Sequence, residues 1–403
     1  MVDMKLKKSL LFTLVLLVIA VLIHIYSYNS IRVENQYSTG IYPAFSSFLR
    51  YIFGWLPFSF GDVIYGLVIL WLIWKLAKGL KALLRKKVTL KSFATGLRKA
   101  FHALLVVYIL FNLFWGINYN RTGIADQLDL KMAKYSQEDL RMINDLLVAK
   151  VNTSKTSLVN QQLKYPTNSE LFSKVKHAYT NAEKTYPFLK YKPVSLKPSI
   201  WSWVGNYMGF TGYYNPFTGE AQVNTLVPKF LQPFTTSHEV AHQLGYAREM
   251  EANFVGYLST AASADTLLHY SVYLDLFMYS NRNLFDTDSA AAKKYRQQLI
   301  PDVMDDLQEW KRFSKKYRNP VEPVFRWIYG IYLRRNQQPQ GLLSYDEVTG
   351  FIIAYYKKFG KKANTLIMNA NPLESINAYN EIDVIIIKGK AVKRNALSAQ
   401  AKK

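Results

Sequence analysis

Residues 235–253 read TTSHEVAHQLGYAREMEAN and contain the pattern HExxH at positions 238–242. On an α-helix, residues four positions apart share a face, so His238 and His242 can bind one metal ion together. Glu239 points in a neighbouring direction and can reach a water molecule held by that ion. Zinc suits such a site because it lowers the pKa of bound water to about 7 and polarises a carbonyl oxygen. The stretch therefore predicts a helix that binds one Zn²⁺ ion and uses Glu239 as general base.

A catalytic zinc ion takes three protein ligands, so a third ligand is expected near the motif. The metzincin pattern HExxHxxGxxH fails here, because its third histidine falls on Arg248, which cannot bind a metal. The carboxylates of Glu249 and Glu251 follow directly. Gly245 is expected to end the first helix, and a second helix beginning near Arg248 would bring its first turn back toward the histidines. Both carboxylates remain candidate ligands on these grounds.

The composition narrows the chemistry of the site. The 403 residues include no cysteine, which excludes disulfides, thiolate metal sites, iron–sulfur clusters and cysteine nucleophiles. Only six histidines are present, so two of them at HExxH spacing around a glutamate are an uncommon coincidence. Any metal in this protein must therefore be held by histidine and carboxylate groups.

The motif resembles that of gluzincin-type zinc metallopeptidases, in which HExxH is followed by a glutamate in the pattern E-x-x-A-[DN]. Residues 249–253 (EMEAN) fit this register. The resemblance implies that Glu249 is the third ligand, with Glu251 as the fallback. It also implies that Asn253 supports a ligating histidine through the free ring N–H. With residues 212–224 (GYYNPFTGEAQVN) and 332–348 (YLRRNQQPQGLLSYDEV), the chain resembles a family of bacterial multi-pass membrane proteins with a predicted metallopeptidase domain.

Three apolar runs near the N-terminus predict transmembrane helices at about residues 10–27, 60–77 and 101–118, within a membrane domain of residues 1–119. Nine basic residues and no acidic one lie from Lys75, near the end of the second run, to the start of the third. Short basic loops stay in the cytoplasm, so the N-terminus is predicted to be cytoplasmic and everything after the third span extracytoplasmic. The expected location is the cytoplasmic (plasma) membrane, with the lipid bilayer as a partner.

The net charge of +23 could suggest nucleic-acid binding, but its distribution argues against that. Residues 1–100 contain 14 basic and 3 acidic side chains, and residues 385–403 contain six basic and no acidic ones. The positive-inside rule and a solvated tail account for this excess, so no nucleic-acid partner is expected.

Residues 120–384 are predicted to form a zincin-like extracytoplasmic domain of the α+β class, mainly helical with a small β-hairpin or sheet. Helices are expected from Ser136 to about Val151 and over residues 168–183. Two strands flanking residues 215–219 (NPFTG) predict the hairpin, and residues 385–403 form a basic flexible tail. Residues 28–60 are read either as an interfacial or re-entrant segment or as a loop packed on the outer domain.

Zincins bind an extended substrate along an edge strand, and residues 222–224 of the second hairpin strand are the candidate, with Asn224 contacting the substrate backbone. Tyr214, Tyr332 and Arg335 are candidate oxyanion donors by residue type. The predicted function is a membrane-anchored zinc metallopeptidase acting on a peptide or protein outside the cytoplasm. The motif is too polar for cleavage within the bilayer. The alternative is a non-catalytic membrane scaffold or interaction protein with a structural metal site, in which Glu239 would have no purpose.

Overall fold

The protein is built mainly of helices, and the computed structural model describes residues 2–162 and 164–360. A π-helical segment covers Val33–Ile41, and short 3-10 helices cover Gly116–Asn120, Pro187–Leu189, Lys229–Leu231 and Gly341–Tyr345. The α-helices in chain order are α1 (Val2–Ser27), α2 (Ser30–Arg32), α3 (Tyr42–Phe53), α4 (Phe60–Leu84), α5 (Leu90–Phe114), α6 (Ile124–Gln127), α7 (Gln137–Asn160), α8 (Asn168–Thr185), α9 (Ser202–Met208), α10 (Gln232–Gln243), α11 (Glu249–Ala261), α12 (Thr266–Thr287), α13 (Ser289–Gln297), α14 (Pro301–Tyr317), α15 (Val321–Arg335) and α16 (Val348–Phe359).

Three of these helices, α1 (over Lys7–Ser27), α4 and α5, are long and apolar enough to cross a membrane. The third was expected at residues 101–118 but covers Leu90–Phe114 instead. It begins earlier because Thr89 and Ser92 form a capping box, and it ends earlier because Trp115 leaves the helical conformation with φ at −161°. Helix α1 packs against α5, whereas none of the apolar window of α4 is buried.

Residues 28–60, between the first two apolar helices, fold back onto the rest of the protein. Most of the segment is helical, from Ser30 to Phe53, and the side chains of Tyr42, Ser46 and Arg50 are buried. All three contact the main chain of Gln243, at the end of α10. Of the two interpretations of this segment, packing against the outer part of the protein is therefore the one observed, although as helix rather than loop.

The sheet has three strands, β1 (Leu196–Pro198), β2 (Gly212–Asn215) and β3 (Glu220–Val223). The predicted hairpin is present as the antiparallel pair β2 and β3, and β1 adds to it in parallel register. Sequence reasoning did not predict β1, because a run of three residues has too little periodicity to stand out. Since β3 lies between β1 and β2, it is a central strand.

A helical body surrounds this sheet. Helix α7 starts at the capping box of Ser136 and Asp139 and continues to Asn160, beyond the expected end at Val151. Helix α8 starts at a second capping box, from Thr167 and Glu170. Helices α7, α8, α10, α11, α12 and α16 supply most of one large apolar core. Residues 361–384 of the predicted outer domain and the predicted tail, 385–403, lie outside the described residues.

Candidate metal centre

Helix α10 places the two motif histidines side by side in the interior. All twelve of its residues are buried, and the imidazole rings of His238 and His242 lie 4.6 Å apart at nearly a right angle. The helix stops where expected, because Gly245 adopts a φ of +88°, which favours glycine. This turn sends the chain back alongside α10 within a few residues.

Helix α11 begins at Glu249, so this carboxylate is the first helical residue after the turn. Its Oε2 lies 3.2 Å from Nε2 of His238 and 3.5 Å from Nε2 of His242. Ligand atoms of these three residues all lie within 4.8 Å of one another. The six-residue connection between His242 and Glu249 is therefore long enough to close a three-ligand site.

Neighbouring groups orient each of the three side chains. Asn253 Oδ1 accepts from Nδ1 of His238 at 2.7 Å, and the carbonyl oxygen of Tyr246 accepts from Nδ1 of His242 at 2.8 Å. The Tyr329 hydroxyl donates to Oε1 of Glu249 at 2.9 Å. With both Nδ1 atoms acting as donors, the Nε2 lone pairs of the neutral rings face the centre, as metal ligation requires.

Glu251, the fallback ligand, faces away from the histidines. Its Oε1 accepts from the main-chain N–H of Ile124 at 3.3 Å and contacts Arg248 at 3.5 Å. Residues 249 and 251 lie about 200° apart around a helix, so only one of them can face α10. The geometry selects Glu249.

Glu239 is buried beside the two histidines, and its Oε2 has no hydrogen-bond partner among the described residues. Strand β2 passes directly over it: a Cβ added to Gly212 would collide with the Glu239 carboxylate. Glycine is therefore required at this point for the strand and the carboxylate to approach each other.

Burial and mutual charge set the protonation of the site. Burial raises the pKa of Glu239 to about 7, although the two histidines oppose the shift. Burial also lowers the pKa of His242, but the Glu249 carboxylate overcomes this and raises it to about 9. Burial favours the neutral form of Glu249, yet the adjacent imidazoles hold its pKa well below the usual range. The metal-free site thus holds a carboxylate against a protonated imidazole, and a cation could replace that proton.

The donor set fits a metal ion. Oε2 of Glu249 is buried and faces both imidazoles, at 3.2 Å from Nε2 of His238 and 3.5 Å from Nε2 of His242, where a protonated ring nitrogen or a cation would pair with it. Buried polar atoms are rarely left unpaired in proteins. Two imidazole nitrogens and one carboxylate oxygen form the ligand set of many catalytic zinc sites, in which a fourth position stays open.

Comparison with known proteins gives one match: the family described as "Protein of unknown function (DUF3810)" matches residues 37–353. The chain belongs to this family. The DUF3810 match extends from the π-helical segment to α16, so it includes α4, α5 and the whole candidate metal centre. No curated protein and no solved structure matches the chain.

Within the DUF3810 region, the C-terminal end of α10 is held by residues next to the apolar helices. Trp115 directly follows α5, and its indole N–H donates to the carbonyl oxygen of His242 at 3.2 Å. Tyr42, Ser46 and Arg50 of α3 donate to the carbonyl oxygen of Gln243 at 3.1, 3.0 and 3.2 Å. The His242 carbonyl also accepts the main-chain N–H of Gly245 at 3.0 Å, so these side chains, from segments next to the apolar helices, complete the C-terminal cap of α10.

The candidate substrate strand, residues 222–224, was expected to be an edge strand, but its residues 222 and 223 belong to the central strand β3. Strand β3 is paired on both sides, whereas β2 has a partner on one side only within the described sheet. The Asn224 amide is buried and donates to Asn206 and to the carbonyl of Phe210, while its oxygen accepts from Leu226. It holds the loop together, so β2 is the strand that offers a free edge near Glu239.

The candidate oxyanion donors lie in different places. The Tyr214 hydroxyl pairs with that of Tyr42 at 3.2 Å, behind the end of α10. Tyr332 lies in the site wall: its ring stacks at 5.9 Å on Tyr329, the partner of Glu249. Arg335 is exposed on the last turn of α15. Of the three, Tyr332 is the one that stacks on a residue bonded to a candidate ligand.

Sequence reasoning missed three residues that shape the site. They are Gly212, whose missing side chain admits Glu239, Tyr329, which bonds to Glu249, and Gln338, whose side-chain oxygen accepts the main-chain N–H of Glu249 at 2.9 Å. Among 29 tyrosines and 19 glycines, residue type alone could not single out the first two. Gln338 lies almost 90 positions after the ligand it caps, so no local pattern indicates it.

Proposed function

We propose that this chain is a membrane-anchored, zinc-dependent metallopeptidase that hydrolyses peptide bonds outside the cytoplasm. The observation that supports it best is the convergence of His238, His242 and Glu249 on one point beside the unpaired carboxylate of Glu239. The gluzincin-like order of the motif in the sequence agrees with this arrangement.

His238, His242 and Glu249 would hold the metal. Bound there, zinc would supply a Lewis acid that polarises the substrate carbonyl and lowers the pKa of a water molecule. Asn253 and the Tyr246 carbonyl fix the ring orientations, and Tyr329 fixes the carboxylate. These contacts keep the ligand atoms aimed at one point.

Glu239 would act as the general base and then as the general acid. A carboxylate with a pKa near 7 can accept a proton from the attacking water and return it to the leaving amine at neutral pH. Burial excludes bulk water from this carboxylate, which keeps the proton transfer between Glu239 and the reactants.

The free edge of β2 would align the substrate. An extended peptide can pair with an exposed strand edge through main-chain hydrogen bonds. Because Gly212 at the start of β2 touches Glu239, a peptide on that edge would run past the catalytic carboxylate. Tyr332, in the wall that contains Tyr329, is the proposed donor to the developing oxyanion.

The arrangement of the apolar helices supports an extracytoplasmic site. The start of α4 is bound to Glu220 of the sheet, and Trp115 at the end of α5 is bound to α10. Both contacts are at the ends of these helices that lie opposite their short connection, residues 85–89. That connection and its flanks are rich in lysine and arginine, which favour the cytoplasm. The metal centre would then lie on the other side.

A non-catalytic scaffold with a structural metal explains the site less well. Structural zinc sites usually take four protein ligands, whereas three converge here among the residues that the structure describes. A structural site would also have no use for Glu239, whose burial without a partner for Oε2 is costly.

The test uses the purified full chain in detergent. Zinc content is measured by elemental analysis, and cleavage by release of fluorescence from a mixture of quenched peptides. The Glu239→Gln protein should retain about one zinc and lose activity by about 10²- to 10⁴-fold, the contribution typical of a general base. The matched control is Glu183→Gln, in a helix away from the ligands. Equal activity of the Glu239→Gln and unmodified proteins would refute the proposed mechanism.

A further inference from the structure

The proposed metal centre lies directly beside the end of the apolar helix α5. Trp115 follows the last residue of α5, and its ring is 5.7 Å from the ring of the ligand His242. Tyr332 of the site wall packs against Phe111, in the last turn of α5, at 6.3 Å between rings. If α5 spans a membrane, the metal centre is therefore separated from its boundary by little more than one side chain.

The sheet beside the site is attached to the apolar helix α4 by hydrogen bonds. Both oxygens of Glu220 accept N–H groups from the first turn of α4, from Phe60 at 3.0 Å and Gly61 at 2.6 Å. The Tyr213 hydroxyl of β2, the free edge strand, donates to Asp62 at 2.5 Å. The strand that would align a substrate is thus fixed directly to the start of a membrane-spanning helix.

An exposed apolar surface continues from α4 across the outer part of the protein. The Trp201 indole donates to the carbonyl of Asp62 in α4 and packs near Gly66. Helix α9 follows and contacts α15, whose inner face provides Tyr329 and Tyr332. The exposed residues of this surface are Ile200, Trp203, Val321, Val324, Trp327 and Ile328. We call these six residues the apolar rim.

The apolar rim has the composition of a surface that contacts lipid. Soluble surfaces rarely expose so many large apolar residues together, and tryptophan favours the membrane–water interface. Trp203 and Trp327 are 61% and 65% exposed. Arg326, between Val324 and Trp327, could contact phospholipid headgroups. Because Trp201 connects the apolar rim to α4, we take the bilayer surface as the partner that covers the rim.

Helices α4 and α5 leave lateral space beneath the site. Five residues connect them, yet the apolar window of α4 has no buried residue, while α5 is packed on α1. A membrane-embedded segment of another polypeptide could lie beside α4, and its chain would emerge at the metal centre.

We propose that the substrate is a polypeptide with its own membrane anchor, cleaved at the extracytoplasmic membrane surface. An extended chain advances about 3.3 Å per residue, so a bond held about one side chain beyond the membrane boundary lies only a few residues beyond the anchor. This inference rests on the proposed peptidase function and adds the class of substrate. A freely soluble peptide would lack the anchor that brings its scissile bond to this depth.

The first experiment tests the membrane contact without requiring activity. Because the chain has no cysteine, Trp327→Cys introduces a single thiol for an environment-sensitive fluorophore, and Phe285→Cys on α12 provides an exposed control. The labelled full chains are reconstituted in phosphatidylcholine vesicles that contain a lipid-borne quencher. We expect strong quenching at position 327 and little at 285. Equal, weak quenching at both positions would overturn the proposal.

The second experiment tests the substrate class. Randomised quenched peptides are presented in three forms. One form is free in solution, and the other two carry a palmitoyl anchor with a spacer of 3 or 15 residues. The two anchored forms are compared at equal surface density. We expect the short-spacer peptides to be cleaved at least tenfold faster than the long-spacer peptides. Trp327→Asp should abolish this advantage and leave cleavage of free peptide unchanged.

The outcomes separate the two proposals. Equal cleavage of the three forms would leave the metallopeptidase proposal intact and refute the anchored substrate. Absence of cleavage of all three forms, with the unmodified protein matching Glu239→Gln, would refute both.

Discussion

Two buried polar clusters lie on opposite sides of the turn that joins α10 to α11. One is the candidate metal centre, formed by His238, His242 and Glu249. The other, which we call the Arg121 cluster, contains Glu34, Arg121, Gln127 and Tyr246. They share the turn itself, because the Tyr246 carbonyl accepts from His242 while the Gly245 carbonyl accepts from Arg121 at 3.1 Å.

The clusters differ in how completely their polar atoms are paired. In the Arg121 cluster, Glu34 accepts from Arg121 at 2.6 and 2.9 Å, and Gln127 joins Glu34 to Tyr246. In the candidate metal centre, by contrast, Oε2 of the adjacent Glu239 has no hydrogen-bond partner in the described structure, and Oε2 of Glu249 depends on a protonated imidazole for its pairing. A closed network stabilises one conformation, whereas an open one marks a place where a ligand completes the pairing. Both clusters bury charged groups, so it is the pairing of their polar atoms, rather than their burial, that distinguishes them.

The largest expected effect is loss of zinc when Glu249 is changed, whereas the same change at Glu251, two residues away, should leave the zinc in place. Glu249→Gln should reduce zinc from about one equivalent to almost none, because two ligands remain. Glu251→Gln should retain the metal, since this carboxylate faces Arg248 and Ile124. Elemental analysis of both purified proteins measures their zinc content. Zinc lost from Glu251→Gln and kept in Glu249→Gln would make Glu251 the third ligand.

The Arg121 cluster should respond in stability rather than in metal content. Arg121→Met leaves Glu34 buried without its cation and should destabilise the protein by about 3–5 kcal/mol. The double variant Glu34→Gln with Arg121→Met should recover most of that loss, because no unpaired charge remains. Thermal unfolding in detergent measures both. Equal destabilisation by the single and double variants would contradict a closed ion pair.

A smaller effect is expected where the metal centre is supported from outside. Asn253→Ala removes the acceptor of His238 Nδ1 and should weaken zinc affinity by about 10- to 100-fold. Competition with a chromophoric chelator measures the affinity. Gln127→Ala, the corresponding change in the Arg121 cluster, should leave zinc affinity unchanged. A similar loss in both variants would show that the clusters are energetically coupled through the turn.

The smallest difference between the two clusters should be the pH at which each is disrupted during acidification. Zinc must displace a proton from His242, whose pKa in the metal-free protein is about 9, so affinity falls as the pH drops below that value. Burial opposes ionisation of Glu34, but Arg121 holds its pKa below the ordinary value. Its stabilisation is therefore present above about pH 4.3 and lost as the pH falls through the lowered pKa. Zinc release should precede unfolding in a titration from pH 8 to 3 followed by both signals. Simultaneous loss would contradict this order.

The local parts of the fold could be predicted from the sequence. The helix starts at Ser136 and near Arg248, the stop at Gly245 and the hairpin at residues 215–219 each depend on a few adjacent residues. The ligand pair and Glu239 follow from helical spacing within five residues. Local spacing left Glu249 and Glu251 both open, and the resemblance of the EMEAN segment to the gluzincin pattern implied Glu249 and Asn253, the two residues that contact His238 in the structure.

The parts that could not be predicted depend on contacts between distant segments. Strand β1 became visible only through its pairing with β3, and this pairing makes β3 central and leaves the edge to β2. Tyr329 and Gln338 reach Glu249 from 80 and 89 positions away, and Tyr42 reaches the end of α10 from 201. Nothing in the local sequence of these residues records such contacts.

The cap at the end of α10 has a consequence for the order of folding. The side-chain donors to its last carbonyl groups belong to Tyr42, Ser46, Arg50 and Trp115, which all precede the motif in the chain. Synthesis proceeds from the N-terminus, so the receiving surface is made more than a hundred residues before the histidines it supports. The segments that supply these side chains are therefore already synthesised when the HExxH segment leaves the ribosome.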